Sequence, residues 1–495
     1  MLKVIKGKVP SMVLYLILLI LVLPTAVFAQ AGVSREAEEH ILNELRRANI
    51  PNAAIAVIQD GETSYIFRNS AHDTLFQIGS VSKSFTGIGV LLLEDMGLLS
   101  VHDPVNQYLS WFEVNYSGVP VPHEDITIYN LLHHTSGFTN DERRFPANVI
   151  NLSKDNFTAQ LTGIELAFYP STEFMYGNLN YVILGFLIEA ISGRSYDEFM
   201  TAQVLRPLGL YNTFTNVQNA HDTGLVIGGN RLRFMQPTSW NPPVDPLSIP
   251  TGFIYSNIED MARWAGIQHG IINVSEQFSR IVQRSHEHNH DSDVPFASKD
   301  FFYAAGWFVN FEDNSIRHGG AVPGYTAIVK IFQYSNTAVV VLSNLRYDSM
   351  ERLAMVVLDS VESRAFDSIG IDFFAILDIA FSILTVVGVV YVGLLVWLAM
   401  NAIKRLSSRE VIKPKFTRQI IKWLIDPILS IAGLIAFYII VPHMFGSSYA
   451  NFALLSPASV NTAGIAIWVI VAYYSCAFMT KVFGLPAEKT QKSKK

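Results

Sequence analysis

The sequence predicts an α/β fold in which helices flank an antiparallel sheet, an all-α lobe is inserted into the sheet, and three transmembrane helices follow. Strand-like patterns lie near both ends of the stretch from Ala31 to Ser363, and the middle, about residues 82–265, has helical patterns interrupted by Pro and Gly. Three apolar segments follow residue 370, each close to the roughly 20 residues that cross a bilayer as a helix.

The first segment, residues 1–29, is typical of a signal peptide. Lys3, Lys6 and Lys8 precede an apolar run, and Val27-Phe28-Ala29 has the small-residue pattern of a cleavage site. An uncleaved N-terminal anchor is the alternative. Both interpretations export the residues that follow.

The globular domain, residues 31–363, begins with a predicted helix over Ser34–Asn49 that has Ser34 as its N-cap. Two strands, Ala53–Gln59 and Thr63–Phe67, then flank Asp60-Gly61, which is a strong hairpin signal. The later part of the domain predicts further strands and a final helix, over Phe302–Phe311, Tyr325–Gln333, Ala338–Leu345 and Ser349–Ser363. A cleft where the sheet meets the helical lobe is the natural place for a site.

The apolar segments are Ile379–Ile403, Ile428–Phe445 and Ala463–Met479, after a linker at 364–378. The connection between the first two segments is rich in Lys and Arg, the second connection has no charged residue, and the tail, residues 481–495, is again basic. By the positive-inside rule the first connection and the tail are cytoplasmic. We therefore predict a plasma-membrane protein whose globular domain is extracytoplasmic.

Composition narrows the choice of partners. The 495 residues carry a net charge of -6 with no long basic run in the body of the chain, so no nucleic-acid partner is expected. The lipid bilayer is the predicted partner, while protein partners stay unidentified. Cys476 is the only cysteine, which excludes an internal disulfide and a thiolate metal site. Asp378, near the start of the first span, is expected to reach headgroups or water.

A first cluster that could carry chemistry is Ser80-Val81-Ser82-Lys83, which opens an apolar run typical of a buried helix. Residues three apart share a helix face, and the unsatisfied N–H groups of a first turn favour a developing oxyanion. A lysine beside an apolar helix has a depressed pKa and can accept the proton of a hydroxyl nucleophile. An N-cap serine with a surface lysine is the alternative.

A second cluster is Tyr176-Gly177-Asn178, in a loop ahead of a predicted helix. A phenol near a lysine can shuttle protons, and the amide two residues later can hold a substrate carbonyl. A buried tyrosine beside a loop-capping asparagine is the alternative.

A third cluster is His318-Gly319-Gly320, which precedes Ala321. Glycines at a strand edge let a substrate backbone approach closely, and an imidazole can donate to that backbone. A plain glycine turn is the alternative.

In this order, the three clusters resemble the serine β-lactamase and penicillin-binding protein superfamily, especially its class C branch. Several flanking segments are also similar, namely Asp103-Pro104-Val105, Leu131-Leu132-His133-His134-Thr135-Ser136-Gly137, Arg206-Pro207-Leu208-Gly209-Leu210, Gly306-Trp307 and Val341-Leu342-Ser343-Asn344. The resemblance covers about residues 31–363 and leaves the membrane segments out. It implies a β-lactamase/transpeptidase-like sheet and a serine hydrolase that needs no cofactor.

The resemblance also implies a role for each matching residue. Ser80 is the acylated nucleophile, and Lys83 and Tyr176 activate it and protonate the leaving group; which of the two is the main base stays open. The residues that bind substrate are Asn178, His318, Gly320 and Ala321. Among them Asn178 orients the substrate, His318 takes the third-cluster role, and the N–H groups of Ser80 and Ala321 resemble an oxyanion hole. The implied substrates are D-amino-acid peptides or esters of the cell envelope, or small esters.

The third cluster departs from the pattern of many family members, which have Lys-Thr-Gly where this chain has His318-Gly319-Gly320. An imidazole is mostly neutral at pH 7, so it is a weaker fixed charge for a substrate carboxylate than a lysine. Gly319 also lacks the hydroxyl that could bind that carboxylate. We expect slow turnover of β-lactams, or none.

Other functions fit the sequence less well. The second hypothesis is a penicillin-recognising sensor that acylates without turnover and signals through its membrane helices, although its cytoplasmic segments are short. A transporter is disfavoured by having only three spans, and an α/β-hydrolase by the lack of a Gly-x-Ser-x-Gly elbow. The histidine-rich run Ser285–Asp291 is interpreted as a solvated loop rather than a metal site.

Overall fold

The computed structural model describes residues 33–138, 153–288, 297–298, 300–362, 364, 368–407, 420–444, 449, 452–453 and 456–482. The predicted leader, residues 1–29, and the tail beyond residue 482 lie outside these residues. The strands are β1 Ala53–Gln59, β2 Glu62–Arg68, β3 Phe76–Gln77, β4 Val114–Tyr116, β5 Val119–Pro120, β6 Ile164–Glu165, β7 Asn230–Arg233, β8 Gln236–Ser239, β9 Tyr255–Ser256, β10 Phe301–Tyr303, β11 Phe308–Asn310, β12 Ile316–Val322, β13 Tyr325–Phe332 and β14 Thr337–Ser343.

The α-helices of the globular domain are α1 Arg35–Arg47, α2 Ser82–Asp95, α3 Ile128–Leu132, α4 Lys154–Leu161, α5 Asn178–Ser192, α6 Tyr196–Phe199, α7 Val217–Asp222, α8 Ile249–Gly252, α9 Ile258–His269, α10 Glu276–Ser285 and α11 Met350–Val361. The apolar helices that follow are α12 Phe373–Ser407, α13 Ile420–Ile435, α14 Val441–Met444 and α15 Ser459–Val482, with a π-helical turn at Ala436–Ile440 between α13 and α14.

Seven strands form one antiparallel sheet in the order β10-β11-β12-β13-β14-β1-β2. β1, from the start of the domain, pairs with β14, from its end, and the helical lobe lies between them in sequence. The predicted hairpin around Asp60-Gly61 is confirmed, because both turn residues have positive φ, at 50° and 87°. This mixed α/β fold with a sheet flanked by helices confirms the predicted fold class.

Each face of the sheet packs against a different layer of helices. Alternate residues of β1 divide between two cores: Ile55 and Val57 pack with α1 and α11, whereas Ala54 and Ala56 pack with the helical lobe. α1 begins as predicted, since the side chain of its N-cap Ser34 accepts a hydrogen bond from the Ala37 N–H. The nearly all-apolar β1 is explained by burial on both faces.

The predicted strand Phe302–Phe311 is wrong in one respect, because it is two strands, β10 and β11, separated by a turn. Gly306 makes the turn with a φ of 93°, and a side chain there would lie 2.5 Å from the Cα of Ser84. The apolar pattern continues through the turn, so sequence periodicity does not reveal it. The turn lets the sheet edge press against the first turn of α2.

Two of the predicted membrane segments form helices long and apolar enough to cross a bilayer, over Phe373–Lys404 and Ser459–Met479. The first begins inside the predicted linker at 364–378. The apolar part described for the middle segment, Ile428–Met444, is shorter than a full span, so the third transmembrane helix stays a prediction. The two long helices are consistent with membrane anchoring.

The expectation for Asp378 was wrong. This residue lies in α12, yet its side chain is buried and has protein partners instead of headgroups or water. Its carboxylate accepts hydrogen bonds from the Met235 backbone N–H and the Ser459 hydroxyl, each at 2.5 Å. The apolar sequence around Asp378 gives no sign of these partners, which are distant in the chain.

Candidate active site

Ser80 lies in a short 3-10 turn, Gly79–Val81, that leads directly into α2. This turn packs against β12 so closely that neither segment has room for a side chain at the point of contact. Gly79 has a φ of 55°, and a Cβ there would overlap the backbone nitrogen of Ala321, while a Cβ on Gly320 would overlap the carbonyl oxygen of Ile78. The two glycines therefore bring the backbone of Ser80 and that of Ala321 to the same wall.

Lys83 follows one helical turn after Ser80 and is fully buried. Its Nζ lies 3.1 Å from Ser80 Oγ, 2.8 Å from Asn178 Oδ1 and 2.8 Å from the carbonyl oxygen of Thr251. Burial lowers the pKa of Lys83 well below its usual value of 10.5, and no carboxylate among the described residues opposes this shift. The serine is thus held beside an amine that has a strong tendency to be neutral.

Tyr176 lies on the other side of Lys83, whose Nζ is 4.9 Å from the centre of the phenol ring. Burial raises the pKa of Tyr176 above its usual value of 10, and the Ser80 side chain acts in the opposite direction. Within the described part of the chain the Tyr176 hydroxyl is buried and makes no hydrogen bond of good geometry. It is therefore a neutral phenol near the serine, open to a partner supplied by a substrate.

His318 is buried in β12, and both of its ring nitrogens have protein partners. Nδ1 lies 2.7 Å from the carbonyl oxygen of Gly319, which can only accept, so this nitrogen carries the proton. Nε2 lies 3.0 Å from the Tyr303 hydroxyl and accepts from it. Burial, helped by the nearby charge of Lys83, lowers the pKa of His318 to about 3. The imidazole is neutral as predicted, but it has no spare N–H to donate to a substrate.

These residues meet at one cleft with a volume of about 570 Å³. Its lining includes Ser80, Tyr176, Asn178 and residues 317–323, so six of the predicted site residues face the same space and Lys83 lies directly behind Ser80. β11 pairs with β12 only at Ile316 and Arg317, which leaves the edge of residues 318–322 facing the cleft in the described structure. An extended substrate could pair with this edge.

Three further residues position the site, and the sequence did not single them out for it. The Thr251 carbonyl and the Tyr303 hydroxyl bind Lys83 and His318, as described above. The third is His134, whose Nδ1 accepts hydrogen bonds from the Gly177 N–H at 3.4 Å and from the side-chain amide of Asn180 at 3.0 Å. Its ring centre lies 4.5 Å from that of Tyr176, so His134 holds the second cluster in place. Only its position in the family-like segment could have suggested this role.

The histidine-rich run is only partly described. His286 is half-buried, with Nε2 2.8 Å from Gln268 Oε1, and desolvation lowers its pKa to about 3. Residues 289–291 lie outside the described part of the chain. Among the described residues, no group of three or more His, Cys, Asp or Glu side chains is arranged to hold a metal ion.

The sheet, with the helical lobe inserted between its strands, has the fold of β-lactamases and penicillin-binding proteins. A sequence model of the family described as Beta-lactamase matches residues 37–362, more than half of the chain, and the chain belongs to this family. The resemblance predicted from the three clusters is therefore confirmed.

Known proteins and structures support the same assignment. Protein flp from Staphylococcus aureus strain MW2 is 29% identical over 333 residues, which is 63% of this chain and 63% of that protein. Penicillin-binding protein 4* from Bacillus subtilis strain 168 is 34% identical over 146 residues, 28% of this chain and 30% of that protein. The chain thus matches only part of the length of these relatives.

Two solved structures share the fold. A class C beta-lactamase superposes with a TM-score of 0.56 and 18% identity, covering 67% of this chain and 96% of the enzyme. The octameric penicillin-binding protein homologue from Pyrococcus abyssi gives a TM-score of 0.55 and 21% identity, with 66% and 77% covered. At these identities the likeness concerns the fold alone.

Proposed function

We propose that the protein is an extracytoplasmic serine hydrolase, anchored in the plasma membrane, that works through an acyl-enzyme on Ser80. One observation carries the proposal: the partners of the buried Lys83 amine are two carbonyl oxygens and the Ser80 hydroxyl. Carbonyl oxygens only accept, so a neutral amine gives them its two N–H bonds and keeps its lone pair for the serine proton. A protonated amine satisfies all three partners as well. The site therefore suits both protonation states without rearrangement.

In the proposed acylation step, neutral Lys83 takes the Ser80 proton while Oγ attacks the substrate carbonyl carbon. The bond from that carbon to the leaving group then breaks, and the proton passes from Lys83, with the Tyr176 hydroxyl as a relay, to the leaving group. In the second step the oxygen of a water molecule attacks the carbonyl carbon of the Ser80 ester while Lys83 takes a proton from that water. The bond from the carbon to Ser80 Oγ then breaks, the proton passes to Oγ, and the acid is released.

Lys83 is the better candidate for the main base. Its pKa is lowered, so the neutral form is accessible, whereas the pKa of Tyr176 is raised and its phenolate is costly to form. Tyr176 then serves as a neutral donor and acceptor between the serine and the leaving group. We assign the negative charge of the tetrahedral intermediate to the N–H groups of Ser80 and Ala321, at the start of α2 where the helix dipole also favours it.

For the substrate we propose D-amino-acid peptides or esters of the cell envelope, or small esters. The neutral His318 and the bare Gly319 give the third cluster no fixed positive charge and no hydroxyl for a substrate carboxylate. Substrates that rely on that carboxylate, β-lactams among them, are expected to react slowly. The open edge of β12 favours an acyl group flanked by a peptide-like chain.

The test uses the full chain in detergent, treated with a fluorophosphonate probe or a penicillin probe and analysed by intact mass. We expect a stoichiometric adduct on the wild type that is lost in Ser80→Ala. The control is Ser82→Ala, since Ser82 lies two residues on and its hydroxyl donates to the Gly79 carbonyl at 2.7 Å, so the adduct is retained. An adduct that persists in Ser80→Ala would refute the nucleophile.

Kinetics separate the hydrolase from the sensor. A hydrolase releases its product with continued turnover of a D-amino-acid ester, whereas a sensor stops after one equivalent of acylation. Rapid hydrolysis of nitrocefin would contradict the proposed poor use of β-lactams.

A further inference from the structure

The β7–β8 hairpin, Asn230–Ser239, joins the hydrolase domain to the apolar helices. At its tip the Met235 N–H donates to Asp378 of α12, and along its side the Leu232 carbonyl accepts from the Ala458 N–H at 2.7 Å, just before α15. Arg231 Nη1 donates to the Ala453 carbonyl at 3.1 Å. The hairpin is thus bonded to segments at both long helices.

The contact with Asp378 gives the level of the hairpin tip along α12. The apolar part of α12, Phe373–Lys404, has 32 residues, which at 1.5 Å per residue makes about 48 Å. The hydrocarbon core of a bilayer is about 30 Å thick, so a centred helix extends about 9 Å beyond it on each side. Asp378 lies about 7.5 Å along the helix from Phe373. The tip is therefore at the depth of the lipid headgroups.

The residues at the tip are unusual for an exposed turn. Phe234 and Met235 both have positive φ, at 51° and 58°, a conformation that normally calls for Asn or Gly. Phe234 is nevertheless 43% exposed. The turn of the β1–β2 hairpin uses Asp60-Gly61 for the same geometry. A strained and exposed aromatic residue needs a reason, and a lipid surface supplies one.

Apolar side chains continue this surface onto the start of α12. Ile371 and Ile376 are 74% and 52% exposed, and Phe373 is 38% exposed. They lie within seven residues of Asp378, to which the hairpin tip is bonded, so exposed apolar side chains occur on both partners of this junction. Aromatic and aliphatic side chains at this depth pack among headgroups and acyl chains.

We propose that the tip of the β7–β8 hairpin lies in the bilayer interface beside α12, as a second membrane contact of the hydrolase domain. The proposal rests on the membrane anchoring proposed above. It also affects the cleft, because Asn230 at the base of the hairpin donates from its N–H to the Gly324 carbonyl at 3.1 Å. Gly324 directly follows the lining residues Val322 and Pro323. The hairpin thus holds the cleft close to the membrane surface, where substrates attached to the bilayer are within reach.

The test measures fluorescence quenching by nitroxide lipids on the full chain in vesicles of phosphatidylcholine and phosphatidylglycerol. In a Cys476→Ser background, a fluorophore is attached at Gln236→Cys, next to the tip, so that Phe234 stays in place. The matched control is Glu62→Cys, at the tip of the β1–β2 hairpin and the opposite end of the strands. Headgroup nitroxides are expected to quench the label at 236 at least about twofold more than the label at 62, since only an interfacial residue meets them.

A second label, at Val389→Cys, reports on anchoring itself, because Val389 lies in α12 and is 66% exposed. Quenching of this label by acyl-chain nitroxides with no quenching at 236 would overturn the hairpin proposal while leaving the anchoring intact. Absence of quenching at 389 would overturn the anchoring as well. Adding Phe234→Ser to the Gln236→Cys protein is expected to reduce quenching at 236, and an unchanged signal would show that the aromatic residue does not hold the tip in the lipid.

Discussion

Two buried lysines lie on opposite faces of the same sheet, and they differ in their partners. Lys83 faces the helical lobe and contacts three neutral oxygens. Lys330, from β13, faces α11, where its Nζ lies 3.2 Å from the carboxylate of Glu351. Burial lowers both pKa values, that of Lys330 to about 8. Arg317 also pairs with Glu351, so this face holds a small ion-pair network.

The comparison shows that burial alone does not make a lysine a base. A protonated Lys330 is compensated by a carboxylate, so its charge has a structural use. A protonated Lys83 has no compensating carboxylate among the described residues. The neutral amine is therefore accessible, and it can accept the proton of Ser80. The charge of the partners, rather than depth in the core, separates the candidate catalytic lysine from the structural one.

The strongest way to break this comparison is to remove each lysine in turn. Lys83→Met is expected to lower the rate of acylation by a fluorophosphonate probe by about 10³-fold, because the serine loses its general base. Lys330→Met is the matched control and should leave that rate within about twofold, since Lys330 faces the other side of the sheet, where its partner is Glu351. The rates are measured on the full chain by quenching the labelling reaction at a series of times and determining the labelled fraction. Equal losses in the two variants would refute the distinction.

Gly319 and Gly320 are neighbours in β12 that point to opposite faces of the sheet, so substituting each in turn tests which face is closely packed. Gly320→Ala is expected to cost about 1–3 kcal/mol of stability, because its Cβ would overlap the Ile78 carbonyl and push apart the turn that carries Ser80. Gly319→Ala points into open space and should be nearly neutral. Thermal unfolding and probe labelling check both variants. A neutral Gly320→Ala would mean that the wall near Ser80 is loosely packed.

The pH dependence of acylation sharpens the comparison further. If neutral Lys83 is the base, the rate rises about tenfold per pH unit and levels off once the pH passes the pKa of Lys83. Because burial lowers this pKa, the plateau is reached well below pH 10.5. Lys330→Met should leave the profile unchanged. A rate that still rises through pH 10.5 would assign the base role to a group with a raised pKa, such as Tyr176.

The smallest effect is expected on the ion-pair face. Glu351→Gln removes the carboxylate that pairs with Lys330 and Arg317, but Glu351 is half exposed, so the loss of stability should stay below about 1 kcal/mol. Glu351 also lines the cleft, but its partners there are Lys330 and Arg317 rather than Ser80 or Lys83, so acylation by the small fluorophosphonate probe should change by less than about twofold. A larger loss of activity would show that Glu351 contributes to substrate binding or to the position of β12.

The parts of the site that the sequence predicted are those set by short-range geometry. Ser80 and Lys83 meet because three residues make one helical turn, and Asn178 reaches Lys83 from the start of α5. The Thr251 carbonyl could not be predicted, because every residue has one and only the fold chooses which carbonyl faces the amine. His318 was found, yet its engagement by Tyr303 depends on the turn at Gly306 that the apolar pattern conceals. The partners of the Asp378 carboxylate, Met235 and Ser459, likewise could not be predicted because they are far away in the chain.

The pairing of β1 with β14 has a consequence for how the protein is made. Ala53 pairs with Ser343, so β1 cannot pair with β14 until the chain between them has been synthesised. This synthesis takes roughly 15–60 s at about 5–20 residues per second. During this time an apolar strand has an open edge and is prone to mispairing. The wall around Ser80 is incomplete for the same interval, because Gly320 and Ala321 also arrive late. A growing chain should therefore be inactive until nearly all of the globular domain has been translated.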